Sequence, residues 1–127
     1  MTNKIITFLK LIKIIKNYPL YLKDYFGKIK GRYVFYKLRN GLIYKLRGGS
    51  TDRFIINEVW IHKSYNPKGF EIKPNDVVVD IGAHAGIFTI LASYSAKNGK
   101  VYSFEPMKEN YNLLLENIHL NKVKNVE

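Results

Sequence analysis

The sequence contains no cysteine. This absence excludes disulfide bonds and thiolate-ligated metal sites, and it leaves the redox compartment undetermined. Long uncharged apolar runs are also missing, because no such stretch approaches the ~20 residues needed to span a bilayer. A secretory signal is not expected, since lysines interrupt the apolar run near the N-terminus and no small-residue cleavage site follows it.

Acidic residues are scarce in the first part of the chain. Residues 1–50 hold twelve Lys and Arg against Asp24 alone, whereas residues 51–127 hold nine of each sign. The formal net charge of +11 therefore belongs to the N-terminal segment. This asymmetry suggests an anionic neighbour, either a membrane surface, a polyanionic substrate or nucleic acid.

The N-terminal segment begins with an amphipathic pattern. Lys4 to Lys16 is an apolar run broken by lysines three positions apart, which predicts a helix. Its expected apolar stripe consists of Ile5, Phe8, Leu9, Ile12 and Ile15. Two interpretations stay open for residues 4–16: a helix lying in the plane of an anionic membrane surface, or a helix docked on the protein with solvated lysines. Pro19 is expected to end this helix, and Tyr18 to Gly27 to form an aromatic-rich connector.

A β-hairpin is predicted from Tyr33 to Arg47, with its turn at Asn40-Gly41. A three-residue loop would pair Leu38 with Leu42, Tyr36 with Tyr44 and Val34 with Leu46. A two-residue turn would instead set Val34 and Tyr36 against basic residues. Only the first register gives a wholly apolar face, so we prefer it, with Gly41 in the left-handed region as a bulge.

After a break at Gly48–Asp52, Phe54 to His62 is predicted as a short helix, although its β-branched residues leave a strand open. Glu58 and Tyr65 lie just upstream of the most informative stretch and could help to cover a ligand. Isolated polar residues at such positions are more often surface or capping residues.

The most informative stretch begins at Val77. Three β-branched residues in a row predict a strand buried on both faces, which Asp80 closes. The spacing Asp80-x-Gly82-x-x-x-Gly86 then predicts a tight turn. A helix rich in small and apolar residues follows over Ile87 to Ala96, and a second strand over Val101 to Phe104. Strand, glycine turn, helix and strand form the opening βαβ unit of a doubly wound nucleotide-binding sheet.

The residue types at this turn favour a particular ligand chemistry. Gly82 lets the backbone bend where a side chain would collide with a ligand, and Gly86 opens the helix start to an anion. Glu105 follows the second strand, where it could accept the hydroxyls of a ribose, and Pro106 holds it extended. Asp80 could receive an ammonium group or only cap the loop. The small side chains of Ala83 and Ala85 leave room for a ligand to approach the turn.

A dinucleotide fingerprint has the spacing Gly-x-Gly-x-x-Gly, with room for a pyrophosphate. The spacing Gly-x-x-x-Gly with an acid two residues before it suits a ligand that has one carboxylate and a nearby amine. S-adenosylmethionine is such a ligand. An α/β domain that uses these residues only for its turns is the alternative.

The stretches Val-Val-Val-Asp-Ile-Gly-Ala-His-Ala-Gly-Ile-Phe-Thr (77–89), Val-Tyr-Ser-Phe-Glu-Pro (101–106) and Glu-Asn-Ile-His-Leu-Asn (116–121) resemble the FkbM-type methyltransferases. The upstream Arg-Gly-Gly-Ser-Thr-Asp (47–52) is similar to that family's lead-in, so the resemblance covers about residues 42–127. It implies the class I S-adenosylmethionine-dependent fold. It also implies a set of cofactor-binding residues: Asp80, Gly82, Ala83, His84, Gly86, Glu105 and Pro106. His84 stands where the family often has Asn, so no catalytic role is assigned to it.

Beyond Glu105, Lys108 to Leu120 is predicted as a helix with Tyr111, Leu114, Leu115 and Ile118 on one face. Lys122 to Glu127 is expected to begin a third strand. The predicted fold class is therefore α/β, a Rossmann-like class I methyltransferase sheet truncated after its first βαβα unit and preceded by a basic helix and a hairpin. We expect residues 1–50 to form an N-terminal extension and residues 51–127 the first half of the methyltransferase domain, and the chain to be a fragment of a longer protein.

The expected function is S-adenosylmethionine-dependent methylation, and the resemblance points to O-methylation of a sugar or glycan hydroxyl. The catalytic residues and the general base are not identifiable, and no metal is expected. The alternatives are a tRNA-base methyltransferase and a non-catalytic membrane-associated binding module. Nucleic acid is not the expected partner, and the expected location is cytoplasmic, with peripheral membrane attachment left open.

Overall fold

The computed structural model describes residues 3–127, with side chains from residue 5 onward, and divides into two compact units between Lys63 and Ser64. The first unit contains α1 (Asn3–Ile14), α2 (Tyr18–Tyr25), β1 (Tyr33–Lys37), β2 (Ile43–Arg47) and α3 (Asp52–Ile56), which continues as a π-helical segment (Asn57–Ile61). The second unit contains β3 (Val77–Ile81), α4 (Ile87–Ser95), β4 (Lys100–Phe104) and α5 (Lys108–Leu120). No helix in the described part of the chain is long and apolar enough to cross a bilayer.

The hairpin of the first unit has the predicted register. β1 and β2 are antiparallel, with Val34 opposite Leu46 and Tyr36 opposite Tyr44, and all four side chains are buried. The backbone of Gly41 has φ +94°, in the region that favours glycine. Alternation of buried and exposed side chains therefore determines the pairing, because a shift by one residue would bury the lysines of the other face.

The helices of the first unit differ from the prediction in two respects. Pro19 does not end α1, which stops at Ile14; it lies in the first turn of α2, where its missing N–H costs no hydrogen bond. The predicted connector is thus largely helical. On α1, the side chains that reach the core are Leu11 and the following Ile15, whereas the predicted stripe residues Ile5 and Leu9 are exposed.

A buried carboxylate joins the elements of the first unit. Asp24 on α2 is fully buried and accepts hydrogen bonds from the Tyr36 hydroxyl (2.5 Å) and the backbone N–H of Gly49 (2.5 Å). The Arg53 guanidinium lies 3.9 Å from the same carboxylate. Burial, followed by the hydrogen bond to Asp24, raises the pKa of Tyr36. Asp24 therefore connects α2, the hairpin and α3, and its charge is compensated inside the unit.

The second unit is the predicted βαβα arrangement. β3 and β4 are parallel, with Val78 opposite Val101 and Ile81 opposite Phe104, and α4 connects them. The chain after α5 returns to the free edge of β4, where Val126 bridges Val101 and the N–H of Val101 donates to Asn125. A third parallel strand thus begins there as predicted, which gives the α/β, Rossmann-like order of elements.

Burial in this unit is one-sided, contrary to the prediction for β3. Val79 and Ile81 are 56% and 83% exposed, because helices α4 and α5 supply no cover for that face of the strand pair. On α5 the buried apolar residues are Leu114, as predicted, and Leu113, whereas the predicted Tyr111 and Leu115 are exposed. The contact face of α5 is set by what it packs against, namely the turn before α4.

The buried cluster at Asp24 yields a stability prediction. Tyr36→Phe removes the hydroxyl donor and leaves a buried carboxylate with one fewer partner, so it should lower the free energy of unfolding by about 1–3 kcal/mol. Tyr33→Phe removes a hydroxyl from an exposed position of the same strand and should change stability by less than about 0.5 kcal/mol. Urea unfolding followed by circular dichroism measures both; equal effects of the two substitutions would contradict the assigned role of Asp24.

Candidate functional site

The candidate site is the turn that connects β3 to α4. Gly82, His84 and Gly86 all have positive φ values, of +79°, +54° and +80°. The N–H groups of Gly82 and Ala83 donate to the carbonyl oxygen of Phe104, at 2.8 and 3.0 Å. Because Phe104 ends the neighbouring parallel strand, these bonds fasten the turn to the carboxyl end of β4.

Glu105 adds a side-chain connection to the same turn. Its Oε2 accepts the backbone N–H of His84 at 2.7 Å, and its Oε1 accepts the N–H of Met107 at 2.8 Å. Desolvation of the carboxyl acts to raise its pKa, but hydrogen bonds from Met107, His84 and the Asn110 side chain outweigh it and lower the pKa. Glu105 is therefore an ionised acceptor held at the glycine turn, and its three donors leave about one of the four lone-pair sites of the carboxylate for a further donor.

Asp80 is buried beneath the turn. Its Oδ2 accepts the Thr89 hydroxyl at 2.5 Å, and Thr89 Oγ1 lies 2.9 Å from Ser103 Oγ. Burial is the main cause of the raised pKa of Asp80; the Thr89 hydrogen bond opposes it and Glu105 adds to it. Through these contacts Asp80 links β3 to α4 and β4.

Gly82 and Gly86 differ in what a side chain at each position would contact. A Cβ on Gly82 would meet nothing within 4 Å, so the backbone there borders open space. A Cβ on Gly86 would lie 2.4 Å from Cδ1 of Leu114, so α5 packs directly against the start of α4. Ala83 and Ala85 are buried and pack beneath the turn. Of these residues, Gly82 is therefore the one that borders open space.

Sequence reasoning did not single out Asn117 or Thr89. Asn117 on α5 is fully buried and its Nδ2 donates to the carbonyl oxygen of Ala85 at 2.9 Å. It thus holds the turn from the side opposite β4. A buried asparagine in the middle of an apolar helix face is a signal that could have identified this contact, because such a side chain needs a hydrogen-bond partner.

The other residues predicted for the cofactor site differ in exposure and in their contacts. Pro106 is exposed after Glu105, and His84 is half-buried and contributes its backbone N–H to Glu105. The Tyr65 ring lies 5.3 Å from the ring of Phe88 in the first turn of α4. Glu58 belongs to the first unit, on the exposed side of the π-helical segment, and its role as a ligand cover stays a prediction.

Comparison with known proteins points to methyltransferase domains. The family model described as "TRM5/TYW2 methyltransferase domain" matches residues 67–127, which contain the whole turn and Glu105. The 31-O-demethyl-FK506 methyltransferase FkbM of Streptomyces tacrolimicus is 31% identical over 70 residues, which is 55% of this chain and 27% of that protein.

Two further similarities are to a tRNA-modifying enzyme and to a solved structure. A tRNA(Phe) (4-demethylwyosine(37)-C(7)) aminocarboxypropyltransferase of Methanocaldococcus jannaschii is 53% identical over 53 residues, which is 41% of this chain and 21% of that protein. The crystal structure of P. horikoshii TYW2 in complex with MeSAdo is 25% identical in sequence, with a TM-score of 0.47. The match covers 84% of this chain and 44% of the TYW2 chain. The chain thus spans about a quarter of the length of the curated relatives it matches. The FkbM resemblance is not distinguished from similarity to the TYW2 group, and the expectation that nucleic acid is not a partner becomes doubtful.

The lowered pKa of Glu105 predicts a pH-dependent contribution to stability. A carboxyl whose pKa is lower in the folded than in the unfolded protein stabilises the fold above its unfolded pKa, about 4.3 for Glu, and loses this contribution as the pH falls through its folded pKa. Glu105→Gln should therefore be less stable than the parent protein near neutrality, and the difference should shrink on acidification below about pH 4.

Urea unfolding at a series of pH values measures this difference. Glu58→Gln removes an equal charge from an exposed position and controls for net charge. A difference for Glu105→Gln that stays constant down to acid pH would show that the hydrogen bonds do not select the ionised carboxylate.

Proposed function

We propose that the second unit binds S-adenosylmethionine and forms part of a methyltransferase. The observation that carries the proposal is the bond between the Glu105 carboxylate and the His84 N–H, since it joins a ribose-type acid to the glycine turn at one edge of two parallel strands. The match of residues 67–127 to a methyltransferase domain supports it.

The residues at the turn fit such a cofactor. The open space beside Gly82 allows a ligand to approach the backbone without meeting a side chain. Glu105, kept ionised by its hydrogen-bond donors, can accept a ribose hydroxyl with its remaining lone pair. Asp80 and Asn117 are expected to act through the turn and not by touching the cofactor. Asp80 accepts the Thr89 hydroxyl of α4, and Asn117 of α5 donates to the carbonyl of Ala85.

When bound, S-adenosylmethionine would supply an electrophilic methyl group on a cationic sulfur. The part of the reaction that this chain performs is positioning, which contributes strongly to displacement reactions between two bound partners. An alcohol acceptor would also need a general base to take its proton. None of the residues described at the turn is assigned that role.

The proposed acceptor is a hydroxyl group, of a sugar or glycan. The FkbM relative supports oxygen as the acceptor atom, since its name states that it methylates a 31-O-demethyl compound. The charge of +11, concentrated in the first unit, fits an anionic glycan or a lipid-linked one.

A tRNA base is the second candidate acceptor. The tRNA-modifying relative has the higher local identity, 53%, and the matching family model includes TYW2. That relative is an aminocarboxypropyltransferase by name, so this candidate also leaves open which group is transferred. The basic first unit fits RNA phosphates as well as it fits an anionic glycan. A non-catalytic membrane-associated module is the alternative to both.

Cofactor binding can be tested with a matched pair of glycine substitutions. Gly82→Ala and Gly69→Ala both place a Cβ in open space at positive φ within the second unit, so both add similar backbone strain. We expect Gly82→Ala to weaken binding of S-adenosylhomocysteine about tenfold or more, because its methyl group enters the ligand space, and Gly69→Ala to bind normally.

Isothermal titration calorimetry gives the affinities, and thermal unfolding of each variant confirms that it is folded. Absence of binding by a parent protein that unfolds cooperatively would refute the cofactor assignment. Equal affinities of the two variants would refute the position assigned to Gly82.

The acceptor can be tested by RNA binding. If a hydroxyl group is the acceptor, tRNA should bind no tighter than an unrelated RNA of equal length, with the steep salt dependence of non-specific phosphate contacts. Fluorescence anisotropy at several salt concentrations measures both affinities. A preference for tRNA of more than about tenfold at physiological salt would replace the hydroxyl acceptor with the tRNA candidate.

A further inference from the structure

Helix α1 has an apolar side that the first unit does not bury. Leu11 and the adjacent Ile15 pack inward, whereas Ile5 and Leu9 are each 47% exposed, and Ile6 and Phe8 are also exposed. Ile5 and Leu9 are four residues apart and therefore neighbours on the helix surface. Several large apolar side chains exposed together on one helix are typical of an interaction surface.

An apolar cleft adjoins this helix. It has a volume of about 550 Å³ and is bounded by Phe8 and Leu11 of α1 and by Leu22, Tyr25 and Phe26 of α2 or its end. Its lining also includes Thr7 and a pair of residues, Tyr21 and Asn57, that hydrogen-bond to each other. A cleft with mostly apolar walls suits a hydrocarbon chain better than a phosphate or a base edge.

The two helices that carry the apolar side chains and line the cleft also carry exposed lysines. Lys10 and Lys13 on α1 and Lys23 on α2 are exposed. Asp24, the single acidic residue among residues 1–50, is buried and hydrogen-bonded, so within that range no exposed carboxylate offsets the lysines. Exposed apolar side chains on the same helices as exposed lysines are complementary to a surface that is apolar inside and anionic outside.

We propose that the first unit docks on an anionic phospholipid bilayer, with α1 lying in the interface and a lipid acyl chain occupying the cleft. Ile5 and Leu9 enter the boundary between headgroups and acyl chains, while Lys10 and Lys13 contact the headgroup phosphates. RNA accounts for the lysines but leaves the exposed isoleucine and leucine and the apolar cleft unused. The proposal does not depend on cofactor binding by the second unit.

Vesicle flotation of the intact chain tests the proposal. We expect the protein to float with vesicles containing phosphatidylglycerol and not with phosphatidylcholine alone. Ile5→Ser/Leu9→Ser should weaken binding about tenfold or more, because two apolar side chains no longer transfer from water into the acyl-chain boundary. Phe70→Ser, which removes a highly exposed apolar side chain from the second unit, should bind as the parent protein does.

A charge pair completes the design. Lys10→Gln/Lys13→Gln should lose most binding to anionic vesicles, whereas Lys68→Gln/Lys97→Gln removes the same charge from exposed positions in the second unit and should lose little. All four lysines are exposed, so none of these substitutions threatens the fold. Failure of the parent protein to float, equal loss in both charge variants, or unchanged binding by Ile5→Ser/Leu9→Ser would overturn the proposal. Displacement from vesicles by tRNA but not by an unrelated RNA of equal length would assign the surface to RNA instead.

Discussion

The second unit depends on how the turn after β3 satisfies its backbone N–H groups. Parallel strands end at a common edge, so the last carbonyl of β4 lies beside the turn that leaves β3. Phe104 accepts two of the N–H groups there and the Glu105 carboxylate accepts a third, from His84. A loop without such acceptors would carry costly unsatisfied groups. The same bonds bring an ionised acid to the turn before any ligand arrives, and preorganised acceptors of this kind reduce the cost of binding.

Support for the turn comes from buried polar contacts on two other sides. The Thr89 hydroxyl donates to the buried Asp80 and also pairs with the Ser103 hydroxyl, and the Asn117 side chain donates to the carbonyl of Ala85 from α5. Such side chains are expensive to bury unless they are hydrogen-bonded, and each of these is. These hydrogen bonds also favour one arrangement of α4, α5 and the strands, because they require specific atoms to meet, whereas apolar packing alone does not. A binding site needs this kind of second support to hold its backbone in place.

The net charge of the chain is distributed unevenly between the two units. The second unit is electrically neutral and contains the candidate cofactor site, while the first carries the net charge of +11. In the first unit the one acid of residues 1–50, Asp24, is used internally. Its exposed lysines therefore remain available to anionic partners.

The sequence by itself determined what depends on local periodicity and on backbone conformation. The hairpin register followed from alternation around Tyr36 and Tyr44, the glycine turn from its spacing, and α5 from its apolar repeat. Tertiary structure decided which faces are covered, because burial depends on neighbouring elements that a periodic pattern does not specify. Val79 is therefore exposed despite its β-branched neighbours, and Pro19 starts a helix because that helix packs through Tyr21. Contacts between residues distant in sequence, such as Glu105 to His84, also required the fold, since only parallel pairing brings those backbone and side-chain atoms together.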